Sequence, residues 1–155
     1  MNDEDIYEVK KTWEIPMENP SESGQAILIE FFTQFPSNQQ KFEQFREVPV
    51  VQLKDNAKFK SHAGRIIRLF DDSINALGTD YADSAIQELW KTTARSHFRR
   101  NISKQSFSEL KGVILQVLKA ACNLNDRQVE AWTKLMDHVY EIVFKTLDEL
   151  ASSDQ

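Results

Sequence analysis

The chain has little with which to build turns. Four glycines and four prolines punctuate 155 residues, too few for the many reversals of an all-β fold. No long run alternates apolar with polar residues, which excludes a sheet with one wet face. The single cysteine, Cys122, leaves no partner for an internal disulfide, and its apolar helical neighbours mark it as a small buried hydrophobe. No stretch approaches about 18 uninterrupted apolar residues, so no membrane span is expected. The opening Met1-Asn2-Asp3-Glu4-Asp5 is acidic and lacks the basic-then-apolar order of a secretory signal. The expectation is a soluble, cytoplasmic protein. Glycine-rich phosphate loops, His-Glu-x-x-His and nucleophile-elbow motifs are all missing. A net charge of −5 argues against nucleic acid as a partner. The basic cluster Arg95, Arg99, Arg100 and Lys104 is small enough for one or two anionic groups, or for a solvated helix end.

What remains is bulky and periodic. Hydrophobic residues make up 41% of the chain and include ten Phe, three Trp and three Tyr. That is enough for one sizeable core, and no boundary or repeat divides the chain, so residues 1–155 read as a single all-α domain. A first helix spans about Asp3 to Trp13, with Ile6, Val9 and Trp13 on one face. Pro16 and Pro20 bracket a break, and Ser21 is placed to cap a second helix carrying Ile27, Leu28, Phe31, Phe32 and Phe35. Pro36 ends that helix or opens a tight turn. Residues 37–53 read as a loop with a helical turn. Asp55 or Asn56 opens a long helix that closes near Gly78. Another holds Ile86, Leu89, Trp90, Thr93 and His97 at spacings of three and four. Ser103 is a cap for the next. Asn125 with Gln128 forms a capping-box pattern for the last, whose stripe runs Val129, Trp132, Leu135, Met136, Val139, Val143 and Leu147. The residues from Ala151 are polar and expected to fray.

Two of the three histidines, His62 and His97, fall on apolar stripes, while His138 sits on the flank of the last helix beside Asp137. Singly, an inward histidine is usually a satisfied core residue. As a pair they suggest ligation, since imidazole is the commonest metal ligand. Tetrahedral zinc wants three or four Cys, His or carboxylate ligands, and none of these accompanies the pair. Phe59, Ile66, Leu89 and Trp90 do, and such walls suit a broad apolar cofactor with one central metal.

The motifs in order then resemble a known family. Gly24-Gln25-Ala26-Ile27-Leu28-Ile29-Glu30-Phe31-Phe32, closed by Pro36, is similar to the second helix of globins. Lys41-Phe42-Glu43-Gln44-Phe45 resembles the globin corner whose first phenylalanine packs on haem. Phe59-Lys60-Ser61-His62-Ala63-Gly64 resembles the distal-histidine segment, and Ala94-Arg95-Ser96-His97 the proximal one. Trp13 falls where the first globin helix often has tryptophan. The likeness runs from about residue 6 to 150 and is nearest to the intracellular haemoglobins of insects.

The resemblance implies the globin fold and haem b. By position, His97 would be the proximal iron ligand, and Ser96 would orient its ring by a hydrogen bond. His62 would be the distal histidine, bonding a bound gas or the iron itself. Phe42 would pack on the porphyrin with Phe45 nearby. Leu28 and Ile66 would crowd the ligand side, and Ile102, Phe107, Leu110 and Val139 would line the remainder. Arg65 would reach a propionate or a ligand, and Arg99 or Arg100 the other propionate. Two departures concern the propionates: Gln44 replaces a basic residue often found near one, and the 35 residues between His62 and His97 are more than in vertebrate globins. The implied function is reversible binding of dioxygen or another diatomic gas, for storage or facilitated diffusion, by a monomer or weak homodimer. Redox turnover, as nitric oxide dioxygenase or nitrite reductase, would call for a separate reductase, and gas or redox sensing for an output partner.

Overall fold

The computed structural model describes residues 1–153, and the last two positions of the expected frayed end lie outside it. Six α-helices follow one another: α1 Asp3–Trp13, α2 Pro20–Gln34, α3 Ala57–Ala76, α4 Ala82–Arg99, α5 Lys104–Ala121 and α6 Asp126–Ser153. Short 3-10 turns at Pro16–Glu18, Pro36–Lys41 and Val50–Asp55 fill the two proline-marked gaps. No strand occurs among the described residues.

Local chemistry sets most of the ends. Asn2 and Asp5 form a reciprocal capping box on α1. Asn56 accepts from the Phe59 amide and opens α3, Ser103 accepts from the Ser106 amide and opens α5, and Asn125 exchanges two bonds with Gln128 ahead of α6. The second helix departs from the expected cap. Asn19, not Ser21, accepts from the Glu22 amide. Pro20, with its fixed φ and missing N–H, takes the first helical position, and Ser21 instead accepts from Gln25. The last helix continues as far as Ser153, past the expected fraying point. Three helices close on left-handed residues, with Gly78 after α3 (φ 84°), Asn101 after α4 (φ 59°) and Asn123 after α5 (φ 49°). Behind Asn101, the amides of Arg100 and Ile102 both donate to the His97 carbonyl.

Two apolar clusters hold the helices together. The larger joins α1, α3, α4, α5 and α6 around Trp13, Phe70, Trp90, Trp132 and Tyr140. The smaller gathers Leu28, Phe31, Phe32, Phe45, Leu53, Phe59 and Val113 beneath the corner that carries Phe42. Gly24 sets the crossing of α2 on α3. A methyl group there would stand 2.5 Å from the Ala63 carbonyl oxygen and 2.9 Å from Ile67 Cγ1. No flexible tip is available to yield, because the nearest atom is backbone.

The start of α1 is tied to α6 by charge. Asp5 is wholly buried, within 2.8 Å of Arg127 Nη2 and 3.2 Å of Lys134 Nζ. The Asn2 amide, then Arg127 and Lys134, hold its carboxyl at about 2, below the ordinary 3.8, against the cost of desolvation. Folding therefore favours the charged form. The stabilisation is complete above the ordinary value and is lost as the pH falls through about 2.

Three outcomes follow from this packing and pairing. Gly24→Ala should cost about 1–3 kcal/mol in urea unfolding. Gly112→Ala, where an added methyl meets nothing within 4 Å, should be neutral or stabilise by about 0.5–1 kcal/mol. Asp5→Asn should weaken the fold at neutral pH, and the stability curves of variant and parent should converge as the pH approaches about 2, read by denaturation across an acid series.

Candidate functional site

The pair of histidines meets across one interior space. His62 projects from α3 and His97 from α4, both half-buried. Both line each of three cavities, of about 470, 650 and 50 Å³. Cofactor pockets of roughly 300–1,000 Å³ are ordinary. The 470 Å³ cavity runs inward between α3 and α4, past Ile66, Leu89, Phe107 and Leu110 to Phe70, Trp90 and Tyr140. The 650 Å³ cavity opens outward beside Phe42, Phe45, Lys58, Ser61, Arg65, Arg100 and Ile102. The smallest is walled by Leu28, Phe31, Lys41 and Ser106 as well as the two histidines.

Helical geometry orients the His97 ring. Its Nδ1 lies 2.8 Å from the Thr93 carbonyl oxygen, four residues back along α4. A carbonyl only accepts, so Nδ1 carries the proton and Nε2 keeps its lone pair toward the cavity. Phe107 packs on the same ring at 5.2 Å between centroids. The hydrogen bond expected from Ser96 is thus made by a backbone carbonyl, while Ser96 stands in the cavity wall without bonding the ring. Opposite, His62 meets the edge of Phe42 at 4.8 Å. Phe42 in turn stacks on Phe45 at 4.8 Å, and Phe45 meets Phe59 edge-on at 5.8 Å. Phe45 is buried behind Phe42 and braces it.

Both imidazoles are held neutral. Burial, then the nearby His97, Arg65 and Arg100, push His62 down to about 4. Burial lowers His97 as well, partly offset by its bond to Thr93. Neutral rings with free nitrogens are metal ligands or hydrogen-bond donors. Among the described residues, however, no three or more His, Cys, Asp or Glu side chains come together to hold an ion. Two imidazoles alone leave the shell of a bare cation incomplete, and the apolar walls around them suit a metal carried by a larger flat group.

The cations at the outer mouth fit the same requirement. Among the described residues, Lys58, Arg65 and Arg100 have no carboxylate partner. With Lys41 they outnumber Glu43, the one carboxylate in that wall, and leave net positive charge beside the greasy inner cavity, which suits a flat apolar molecule with an anionic edge. Arg99 is exposed and lines none of the three cavities, so of the two arginines considered, Arg100 is the one at the mouth. Val139, expected in the wall, is fully buried in the core. One residue further along α6, Tyr140 takes the wall position. The sequence also gave no reason to single out Lys41, Lys58 or Arg68, all of which line these cavities.

The chain matches the family profile described as Globin over residues 25–143. The chain is a globin. Among solved structures, this globin is similar to the Drosophila melanogaster globin at 52% identity and a TM-score of 0.91, with 94% of each chain covered. It is also similar, at 52% identity and a TM-score of 0.90 over 94% of each chain, to the D. melanogaster protein described as a hexa-coordinate haemoglobin with cyanide binding and haem-cavity transitions. Globin CTT-VI of Chironomus thummi thummi is 35% identical over 140 residues, covering 90% of this chain and 84% of that one.

The Thr93 carbonyl makes a specific outcome testable. Nitrogen-15 NMR of the His97 ring should show the Nδ1-protonated tautomer in the parent and in Ser96→Ala alike. Loss of that tautomer in the variant would return the orienting role to the Ser96 hydroxyl.

Proposed function

We propose that this globin holds haem b through His97 and binds dioxygen reversibly in the cytoplasm, for storage or facilitated diffusion. The observation that carries the reading is the His97 ring, fixed by Thr93 with its Nε2 lone pair toward the cavity that it shares with His62. Phe42 and Ile102 would flank the porphyrin, with Leu28, Ile66, Phe107 and Leu110 excluding water around it. Arg65 and Arg100, with Lys58 beside them, would meet the propionates. Haem supplies the ferrous iron to which a diatomic gas adds reversibly. The protein's part is to present one imidazole lone pair, keep the cavity dry and offer a hydrogen bond where a polarised ligand gathers negative charge.

His62 supplies that bond. As a neutral ring it carries one N–H, and a hydrogen bond to a partly charged acceptor contributes about 1.5–3 kcal/mol. The bond favours dioxygen over the less polar carbon monoxide. The same neutral ring also has a free lone pair. A second reading, in which His62 itself ligates iron when no gas is present, is favoured by the hexa-coordinate description of the D. melanogaster relative at 52% identity. Opening the site would then come before gas binding and reduce apparent affinity by the fraction open.

His97→Gly should lose the Soret band, and external imidazole should restore it by filling the vacancy. Retention of pigment without added base would overturn the assignment. His62→Leu should raise the oxygen off-rate roughly 10- to 100-fold, the range set by one charge-assisted hydrogen bond, measured by stopped flow. A six-coordinate ferrous spectrum in the parent that becomes five-coordinate in His62→Leu would establish the second reading.

A further inference from the structure

The corner at residues 42–48 belongs to no helix, yet hydrogen bonds close it into a ring. Three reversals follow one another. The Phe42 amide donates to the Gln39 carbonyl, the Phe45 amide to the Phe42 carbonyl and the Val48 amide to the Phe45 carbonyl, each at 3.1 Å. The side chain of Gln39 then bridges the far end. Its Nε2 donates to the Phe45 carbonyl at 3.0 Å and to the Val48 carbonyl at 2.7 Å. The residue that opens the series of turns therefore also closes it.

Gln39 is itself a fixed point. It is 6% exposed, and a buried amide is costly unless its donors are used. Both of its N–H groups are. The turn that carries it is fastened to α5 by the residues around it. Asn38 donates to Glu109 Oε1 at 3.1 Å, and Lys41 donates to the Ser106 hydroxyl. Gln40 reaches only the Arg46 carbonyl, at 3.4 Å and in an exposed setting where water competes. Gln39 thus ties the corner to a frame anchored on a long helix.

From this clamp to the cavity is a short mechanical step. Phe45 carries one of the clamped carbonyls, its ring stacks on Phe42 at 4.8 Å, and Phe42 meets the edge of His62 at 4.8 Å. The rings beneath support the corner from below, and Gln39 closes it from the side. Unwinding at residues 45–48 would shift Phe45, then Phe42, and free one side of the His62 ring. Gln39 lines none of the three cavities, so its influence passes through the corner alone.

We propose that Gln39 is a positioning residue for the distal side of the cavity. By clamping the corner it keeps Phe42 against His62, and so holds that imidazole where its N–H reaches a bound gas. The inference rests on haem being held at His97 and on His62 bonding the ligand.

The test uses holoprotein carrying Gln39→Met, which keeps length and bulk but has no N–H. Hydrogen exchange at residues 42–48 should speed up while the helices keep the parent's rates. The oxygen off-rate should rise roughly 3- to 10-fold, below the ceiling set by His62→Leu. The C–O stretch of the carbon monoxide complex should move to higher frequency, because a donor at the oxygen end draws electron density into the ligand's antibonding orbitals. Plain destabilisation leaves that frequency alone. In a His62→Leu background, Gln39→Met should leave the off-rate unchanged, since the bond it positions is already gone. Should the Met variant fail to fold, Gln39→Asn, with the same amide on a shorter stem, should show the same effects at smaller size. Unchanged exchange at the corner overturns the clamp. Faster exchange with an unaltered off-rate and stretch, or an equal rise in both backgrounds, overturns the positioning role. Both results leave the oxygen-binding reading standing. Protein that takes up no haem, or a His62→Leu off-rate equal to the parent's, overturns the two together.

Discussion

The close approach of α2 to α3 sets the geometry of the distal half of the molecule. With hydrogen as its only side chain, Gly24 lets the Ala63 carbonyl come where a methyl group would otherwise stand. Ala63 is next to His62. The crossing therefore fixes the height of that imidazole above the cavity and its edge contact with Phe42. The phenylalanines beneath, Phe32, Phe45 and Phe59, interlock at 5.8–6.5 Å and hold Phe42 at the mouth although its own segment is a loop. A rigid aromatic bed thus does for the corner what regular hydrogen bonding does for the helices.

Charge is distributed in a way that complements this packing. At the cavity, burial holds both imidazoles neutral, while the arginines and lysines around them keep their charge. At the far end, the opposite arrangement holds, with the buried carboxylate of Asp5 kept ionised by two cations and a backbone amide. Desolvation acts in both places. The carboxylate is paired and the imidazoles are not, so one stays charged and the others stay neutral.

Much of this was legible in the sequence because it is local. Helix periodicity placed His62 and His97 on inward stripes, and the caps at Ser103 and Asn125 announce themselves by residue type and spacing. Ser21 misled because a serine before an apolar run looks like a cap, yet the proline ahead of it had already claimed the first turn. The orienting partner of His97 was hidden for a different reason. A backbone carbonyl has no residue signature, although the i−4 position of Thr93 on the same helix was available to geometry. Val139 and Tyr140 are adjacent on α6, and only the packed helix decides which of two inward neighbours meets the cavity. The Gly24 crossing and the aromatic bed beneath Phe42 join distant segments. No window of the sequence contains them.

The end of α4 would tie retention of the proposed cofactor to local opening. Asn101 reverses the chain directly after the helix, and two amides close back on the His97 carbonyl. The last turn cannot unravel without releasing the backbone that carries the His97 ring, so loss of a haem held there, as proposed, and fraying of this turn would become one event. The residence time of the prosthetic group would then report the free energy of a few residues rather than that of the whole domain. A globin of this build could bleach while most of its helices remain folded.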